Sequence, residues 1–555
     1  MKIAIYLLLF VFVILVYTWV FYTIYPVLEG KEISRVQALL FVVETVTTVG
    51  YGDLLPFNND LTAVAAMVMM LTGIVFIFMA LPLLLVPYLA TLLHPTPSLK
   101  TPVRLSHHIV IIGGGELTRS LMESLSISDL EIVMVNNDEV ATQALVKRYR
   151  HRAFVIWGSY SDAKTWANAW VKDASYVIVC EEERATANII LGLRQMTDAK
   201  IVAVVDKLSF DRYLRYAGAE YVLSPKFVTG RILARHAALL PLIIPHNDAL
   251  GELRATTTHP RQPSHPSGSG VIILQVPVLP GSHVVGKRLA DLDLYERFGV
   301  VALILVRGGC FTFLPGVDEV LDSSSTIFLL GTADRLPQIM EEFLARSGDR
   351  PEIVIAGYGD VGTAAYHELK GFGLDPIVID RTDHQIPEVK GNAEDEDTLK
   401  LAHIDDAAVC IVALNDDDIN IFTTLMARNL NPSLRILARA NEPASVEKLY
   451  HAGADYVALL PTIGGQVVAG VILSGVVKVL LDLPNGSKII QRWVQRKGAI
   501  TVAEIERRSG TTVLALEVQG RSIISPGPNE HIDMHDTVLA IGNIQNLRRL
   551  IHLLG

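Results

Sequence analysis

The sequence predicts a two-part protein: a membrane α-helical segment with two spans, followed by two copies of a doubly wound α/β module, each closed by a small α+β lobe. Three observations carry this. Two long runs near the N-terminus contain no charged residue. No further run able to span a bilayer appears beyond about residue 100. The remainder repeats itself at a fixed spacing, and each copy opens with an apolar run, a Gly-rich turn and a helical pattern.

At roughly 100–200 residues per domain, 555 residues make about three to five folding units. Apolar residues make up 50% and charged residues 19% of the chain. The net charge of -10 and the lack of a long basic run argue against nucleic acid as a partner. The three cysteines, Cys180, Cys310 and Cys410, have no metal-ligand or C-x-x-C spacing and read as buried, reduced thiols.

The first span is Ile3 to Tyr25, 23 residues without a charge. As a helix this crosses about 30 Å of hydrocarbon. A signal peptide would have a shorter apolar core followed by small residues, and none are present. Tyr17, Trp19, Tyr22 and Tyr25 suit a membrane interface. The second span, Leu61 to Leu93, is longer than one crossing needs and contains Gly73, Pro82 and Pro87. It reads as one long, bent helix rather than two short segments.

Between the spans lies Thr47-Thr48-Val49-Gly50-Tyr51-Gly52-Asp53. Few residues separate it from either span, so it must dip into the membrane and return. Irregular backbone at that depth is tolerated only where protein buries it or it lines an aqueous path. Glycines at alternate positions allow backbone angles that aim successive carbonyls the same way. A ring of such carbonyls from several subunits can replace the hydration shell of potassium, and the string Thr48 to Gly52 is similar to the filter of potassium channels. Ser34 to Val46 reads as the short supporting helix, with Glu44 and Asp53 as hydrogen-bonding buckles behind and after the filter. One chain supplies one loop and four are needed, so a homotetramer is expected.

The soluble part is an internal repeat. Residues 108–125 (HIVIIGGGELTRSLMESL) align without a gap with 352–369 (EIVIAGYGDVGTAAYHEL), a spacing of 244 that also sets Asn136 opposite Asp380. YLRYAGAEYVLSP matches KLYHAGADYVALLP, and 314–331 matches 525–542. Apolar β-runs alternating with helical stretches predict parallel sheets built from βαβ units. A stretch rich in Ser, Pro, Thr and His (255–270) reads as a flexible linker, with His259 and His265 solvated.

Copy two carries Gly357-Tyr358-Gly359-Asp360-Val361-Gly362 between a β-run and a helix, with Asp380 ending the next β-run. In that context G-x-G-x-x-G marks a Rossmann-like dinucleotide turn. The first glycine permits the tight turn, the second lets backbone approach a pyrophosphate, and the third lets helix and strand pack closely. The helix N-terminus favours phosphate, and Asp380 would accept hydrogen bonds from ribose hydroxyls. Arg381 would read a phosphate or an adenine face. Copy one departs from this pattern: Gly113-Gly114-Gly115-Glu116-Leu117-Thr118 has threonine at the third glycine position, and Asn136 replaces the ribose acid.

Together these features resemble the RCK family, regulators of potassium conductance, as tandem modules behind a two-span pore of the multi-ligand-gated prokaryotic type. The resemblance implies a membrane α-helical two-span pore domain plus two α/β Rossmann-like RCK modules, each with a small α+β C-terminal lobe. It implies these boundaries: pore domain 1–98 (spans 3–25 and 61–93, pore helix and filter 34–53), first larger lobe 106–248 and smaller lobe 249–346, second larger lobe 350–483 and smaller lobe 484–555. It implies a ring of eight modules below a tetrameric pore in the cell (inner) membrane, with the modules cytoplasmic and NAD or ADP as regulatory ligand. Gly73 falls near the gating hinge, unless Thr72 takes that place. Gly391-Asn392-Ala393 would approach adenine, Asn415 to Asp418 and Asn420 the phosphates, and Arg439 the same cleft. Calcium is a further expected ligand, with Glu181 to Glu183, Glu394 to Asp397 and Asp416 to Asp418 as acidic loops and Glu183 and Asp417 as the metal ligands chosen; none has EF-hand spacing.

Two rival readings follow from parts of the sequence. A membrane-tethered NAD-dependent oxidoreductase accounts for Gly357 to Gly362 but not for the filter string, and His367, His384 and His403 are scattered and read as structural. A regulatory subunit for a separate potassium transporter would need no pore of its own.

Overall fold

The computed structural model describes residues 2–93, 97–238, 242–244, 270–278, 282–323, 325–343, 351–384, 386, 388–473, 477–483 and 486–555. The linker expected at 255–270, with His259 and His265, lies outside the described residues except for Gly270. The chain divides into two compact units, Met1–Pro97 and Ser98–Gly555.

In the first unit, α1 (Lys2–Glu29) runs on past Tyr25 and carries Pro26 in its last turn. At 1.5 Å per residue both α1 and α3 (Asp60–Leu93) exceed the hydrocarbon thickness. α3 is one continuous helix, so the two-short-segment alternative does not hold. Between them α2 (Arg35–Val46) starts at a capping box: Gln37 N donates to Ser34 Oγ at 3.2 Å, and Ser34 N donates to Gln37 Oε1 at 2.9 Å. Its buried face (Ala38, Phe41, Val42, Val46) packs on α1 and α3, with the Phe41 ring stacked on Phe21 at 4.4 Å. The α3 backbone passes so close to the end of α2 that a Cβ on Gly73 would lie 2.1 Å from the Val46 carbonyl oxygen.

The second unit contains the repeat. Strands β1 (Ile109–Ile112), β2 (Ile132–Asn136), β3 (Phe154–Trp157), β4 (Tyr176–Val179), β5 (Lys200–Val204) and β6 (Tyr221–Leu223) form a parallel sheet in the order 3-2-1-4-5-6. The first smaller lobe follows as β7 (Leu242–Ile244), β8 (Val271–Pro277), β9 (Val301–Arg307), β10 (Cys310–Phe313) and β11 (Thr326–Thr332), in the antiparallel order 10-9-11-8-7. Copy two repeats the first sheet with β12 (Ile353–Ala356), β13 (Ile377–Asp380), β14 (Glu388–Lys390), β15 (Val409–Val412), β16 (Arg435–Ala440) and β17 (Tyr456–Leu459), in the order 14-13-12-15-16-17. Its smaller lobe has β18 (Lys478–Asp482), β19 (Lys488–Trp493), β21 (Thr512–Val518), β22 (Arg521–Ile524) and β24 (Thr537–Gly542) in the matching order 22-21-24-19-18, with β20 (Ile500–Thr501) paired to β23 (His531–Ile532). The central strands β1, β12 and β15 are buried throughout, because helices cover both faces of a parallel sheet.

The two copies exchange helices. Helix Pro225–Ala237, which leaves copy one, packs on helix Asp360–Gly371 of copy two; helix Leu460–Leu473 packs in turn on helix Glu116–Leu125 of copy one. Leu233, Ala234 and Ala237 thereby enter the core of copy two beside Ile355 and Val361. The smaller lobes share an apolar interface that includes Ile273, Leu303, Leu514 and Leu539. Cys410 is buried, as a reduced structural thiol requires, and burial pushes its pKa up to about 12. Cys310 is exposed, contrary to expectation, because β10 is an edge strand.

Candidate functional site

The segment expected to form a filter leaves the C-terminus of α2 through a chain of local bonds. Thr48 N donates to Thr45 O at 3.2 Å, and Val49 N and Gly50 N both donate to the Glu44 carbonyl at 2.8 and 3.2 Å. The backbone then takes positive φ at alternate residues: Thr48 at 61°, Gly50 at 56° and Gly52 at 79°. For threonine this is a strained conformation of the kind that clusters at functional sites. Among the described residues no hydrogen bond reaches the carbonyls of Thr48, Val49, Gly50 or Tyr51. Glu44 holds this segment by its backbone carbonyl: its side chain is buried, and among the described residues Oε2 has no hydrogen-bond partner. Asp53 is exposed.

The copy-two turn lies between β12 and helix Asp360–Gly371. Gly357 sits at φ 98°, which only glycine adopts without strain. A Cβ on Gly362 would fall 1.9 Å from Gly357 O, so the third glycine is needed for helix and strand to touch. Gly359 is different: its Cβ would meet only the Asn415 side chain at 3.7 Å. The protein itself does not require glycine there, so the open face is suited to something that approaches from outside. Asp360 and Val361 open the helix, Val361 inside the core and Asp360 in its first turn.

Next to this turn is a cleft of about 390 Å³, lined by Asp380, Arg381, Asn392, Ala393, Leu414, Asn415, Asp416 and Ile419, among others. Asp380 stands at its base. Its carboxylate accepts Tyr358 N–H at 2.7 Å and Thr382 N–H at 2.9 Å, and His384 Nε2 lies 3.2 Å away. Burial opposes its charge, but the two amides and His384 outweigh this and hold the carboxyl below the usual aspartate value. His384 thus adjoins the acid, although the sequence read it as a bystander. Arg439 is buried at the end of β16; its guanidinium donates to Asn415 Oδ1 at 3.0 Å and to Asn441 Oδ1 at 2.6 Å. Burial lowers the Arg439 pKa, against the opposing fields of Asp417, Asp206 and Asp360.

The acidic run after β15 serves the loop. Asp416 caps helix Asp417–Leu430 by accepting Asp418 N–H at 2.9 Å. Asp417 accepts Asn441 N–H at 2.9 Å and Glu442 N–H at 3.0 Å. Asn420 is fully buried and braces Leu414 and Arg439 backbone, so it does not face the cleft. Glu183 accepts Lys207 N–H at 3.0 Å. Among the described residues no three His, Cys, Asp or Glu side chains gather as a metal site.

The copy-one cleft is built differently. Tyr160 OH donates to Glu181 Oε1 at 2.8 Å and the ring stacks on Trp166. The same Glu181 oxygen would lie 3.0 Å from a Cβ on Gly113, so a carboxylate overhangs the glycine turn where copy two has Leu414. Thr118 occupies the third glycine position and is buried. No motif announces the Tyr160–Glu181 pair, since the two residues lie in loops 21 positions apart.

Comparison with known proteins agrees with this layout. The TrkA-N domain family matches residues 109–225 and 353–460, the TrkA-C domain family 273–344, and the ion channel family 9–86. Potassium channel protein 1 of Methanocaldococcus jannaschii is 27% identical over 36% of this chain and 65% of its own length. The calcium-gated potassium channel TvoK of Thermoplasma volcanium is 25% identical over 41% of this chain and 67% of its own. The chain thus spans about two thirds of the length of these curated relatives. Among solved structures, the GsuK channel shares 26% identity across 99% of this chain and 98% of its own, with a TM-score of 0.58. The GsuK channel bound to NAD gives 26% identity, 100% and 98% coverage, and a TM-score of 0.57. These relatives are channels by name, which favours the channel reading over the oxidoreductase alternative. The chain thus joins an ion-channel segment to two TrkA-N domains and a TrkA-C domain, and it is similar to the GsuK channel over almost its whole length.

Proposed function

We propose that four copies of this chain form a potassium-selective pore in the cell (inner) membrane, with eight RCK modules in a cytoplasmic ring that opens or closes it. One observation carries the conduction reading: among the described residues no hydrogen bond reaches four successive carbonyls, Thr48 to Tyr51. All four residues are exposed in the single chain, and irregular backbone at membrane depth is tolerated only where protein buries it or it lines an aqueous path. A fourfold ring of them offers potassium the oxygens it loses with its hydration shell.

The regulatory ligand we infer is a nucleotide of the NAD or ADP kind, bound in the copy-two cleft. Gly359 offers open backbone to a pyrophosphate, Asp380 keeps acceptor capacity for ribose hydroxyls, and Asn392 and Ala393 line the far wall. The NAD-bound GsuK channel supports the choice. A nucleotide that binds one arrangement of the ring more tightly than the other must shift the pore by that difference. A calcium response, the property named for TvoK, would have to recruit Glu183 or Asp417, whose carboxylates already accept backbone N–H groups.

Flux of potassium against sodium, measured on the purified protein in liposomes with and without NAD and ADP, tests both parts. Selective flux that changes with nucleotide is the expected result. The absence of selective flux under every ligand overturns the channel reading, and selective flux indifferent to nucleotide overturns the gating reading.

A further inference from the structure

The phosphate turn of copy two is surrounded by acid. Asp360 follows Gly359 directly, and Asp416 and Asp417 stand at the neighbouring helix start. A pyrophosphate brought to Gly359 would meet these charges at short range, and like charges at such distances repel by amounts that matter even in a partly solvated cleft. Copy two has two compensating cations close by. One is Arg439, held behind the loop by Asn415 and Asn441.

The other comes from copy one. Lys226, in the first turn of the exchanged helix Pro225–Ala237, extends Nζ to 2.7 Å from Asp206 and 3.4 Å from Asp360. Its side chain is only 19% exposed, so it is held between the modules rather than free in solvent. Asp206 and Asp360 also act on Arg439, which places both cations in one electrostatic cluster around the turn. The repeat supplies an internal control. On the opposite crossing the corresponding residue is Thr462, which meets Ser120 at 3.3 Å beside the incomplete turn of copy one. Lys226 thus reaches the first helical residue after the complete glycine turn, whereas the neutral Thr462 reaches Ser120, four residues beyond Glu116, the counterpart of Asp360.

We propose that Lys226 is a phosphate-reading residue supplied in trans by copy one to the nucleotide site of copy two. A bound pyrophosphate takes Lys226 Nζ in exchange for Asp206, while Asp360 stays neutralised. The same helix carries Arg231 and Arg235 to Glu368 of copy two, so the ligand ties together the two modules that this helix already joins. The inference rests on the nucleotide reading above.

Affinities of the full-length protein in detergent for ADP and for adenosine, by titration calorimetry, test it. Lys226→Gln should weaken ADP roughly tenfold, the value of one charge-assisted contact, and leave adenosine unchanged. Lys226→Arg should retain most of the ADP affinity, and Asp206→Asn, which removes the competing carboxylate, should raise it. ADP affinity unchanged in both Lys226→Gln and Asp206→Asn overturns the proposal, as does an equal loss for ADP and adenosine, which marks a purely structural lysine. A wild-type protein that binds neither compound overturns the nucleotide reading itself, and this proposal with it.

Discussion

Replacing Gly359 by alanine separates what the fold requires from what a ligand requires. Gly359 has φ -70°, ordinary for any residue, and its Cβ would find nothing nearer than Asn415 at 3.7 Å. Alanine is a poorer N-cap than glycine but leaves the unfolded chain less entropy, so stability should change by less than about 1 kcal/mol. The added methyl nevertheless fills the surface on which a pyrophosphate would rest. Overpacking of that kind costs about 1–3 kcal/mol, or roughly 5- to 150-fold in affinity. Gly362→Ala is the contrasting variant: its Cβ would lie 1.9 Å from Gly357 O, so helix and strand must separate and stability itself should fall by about 1–3 kcal/mol. Thermal unfolding with and without NAD or ADP reads both. Ligand at about 100 times its Kd stabilises the wild type by about 2.7 kcal/mol. Gly359→Ala should unfold like wild type without ligand and lose most of the ligand-induced shift. A full shift in Gly359→Ala would refute the argument that phosphate approaches this backbone.

Other expectations follow from the same geometry. Gly73→Ala places a methyl 2.1 Å from Val46 O and should destabilise the membrane unit by about 1–3 kcal/mol, whereas a residue serving only as a hinge would change gating with stability intact; thermal unfolding of the protein in detergent distinguishes the two. Glu368 is partly buried, which opposes its charge, but Arg231 and Arg235 hold its pKa below 4.5. Its clamp between the modules is therefore fully formed above about pH 4.5 and is lost as the pH falls through the depressed value; Glu368→Gln should flatten that acid limb of the unfolding profile. Because the Tyr160-bonded Glu181 carboxylate overhangs the copy-one turn, calorimetry should give one nucleotide per chain, and two per chain would show that this carboxylate moves aside. Gly50→Ala, at φ 56°, should abolish potassium selectivity while leaving nucleotide binding intact, as liposome flux and calorimetry would show.

Much of this molecule is legible in short strings. Thr48 to Gly52 and Gly357 to Gly362 are contiguous, and each depends on glycine at set positions because backbone conformation there is local. Asp380 was legible because the second strand of a doubly wound sheet must end beside the first turn. The repeat spacing of 244 marks two copies of one module from the residues alone. Other features were hidden. His384 approaches Asp380 only because the chain turns back after β13. The Asp416–Asp418 run looked like cation ligands, yet its first two carboxylates are spent on backbone amides, a fact set by where β16 ends.

The sequence by itself determined the two apolar spans, the Thr48–Gly52 string, the duplicated module and the divergence of its copies, since each follows from residue type and spacing along one segment. Tertiary structure alone decided which residues from distant segments meet. It sent Pro225–Ala237 into copy two and so brought Lys226 to Asp360, 134 positions away. It also set Tyr160 against Glu181 across the copy-one cleft. Such contacts depend on how apolar helix faces find their cover, and the cover for each copy's exit helix is provided by the other copy.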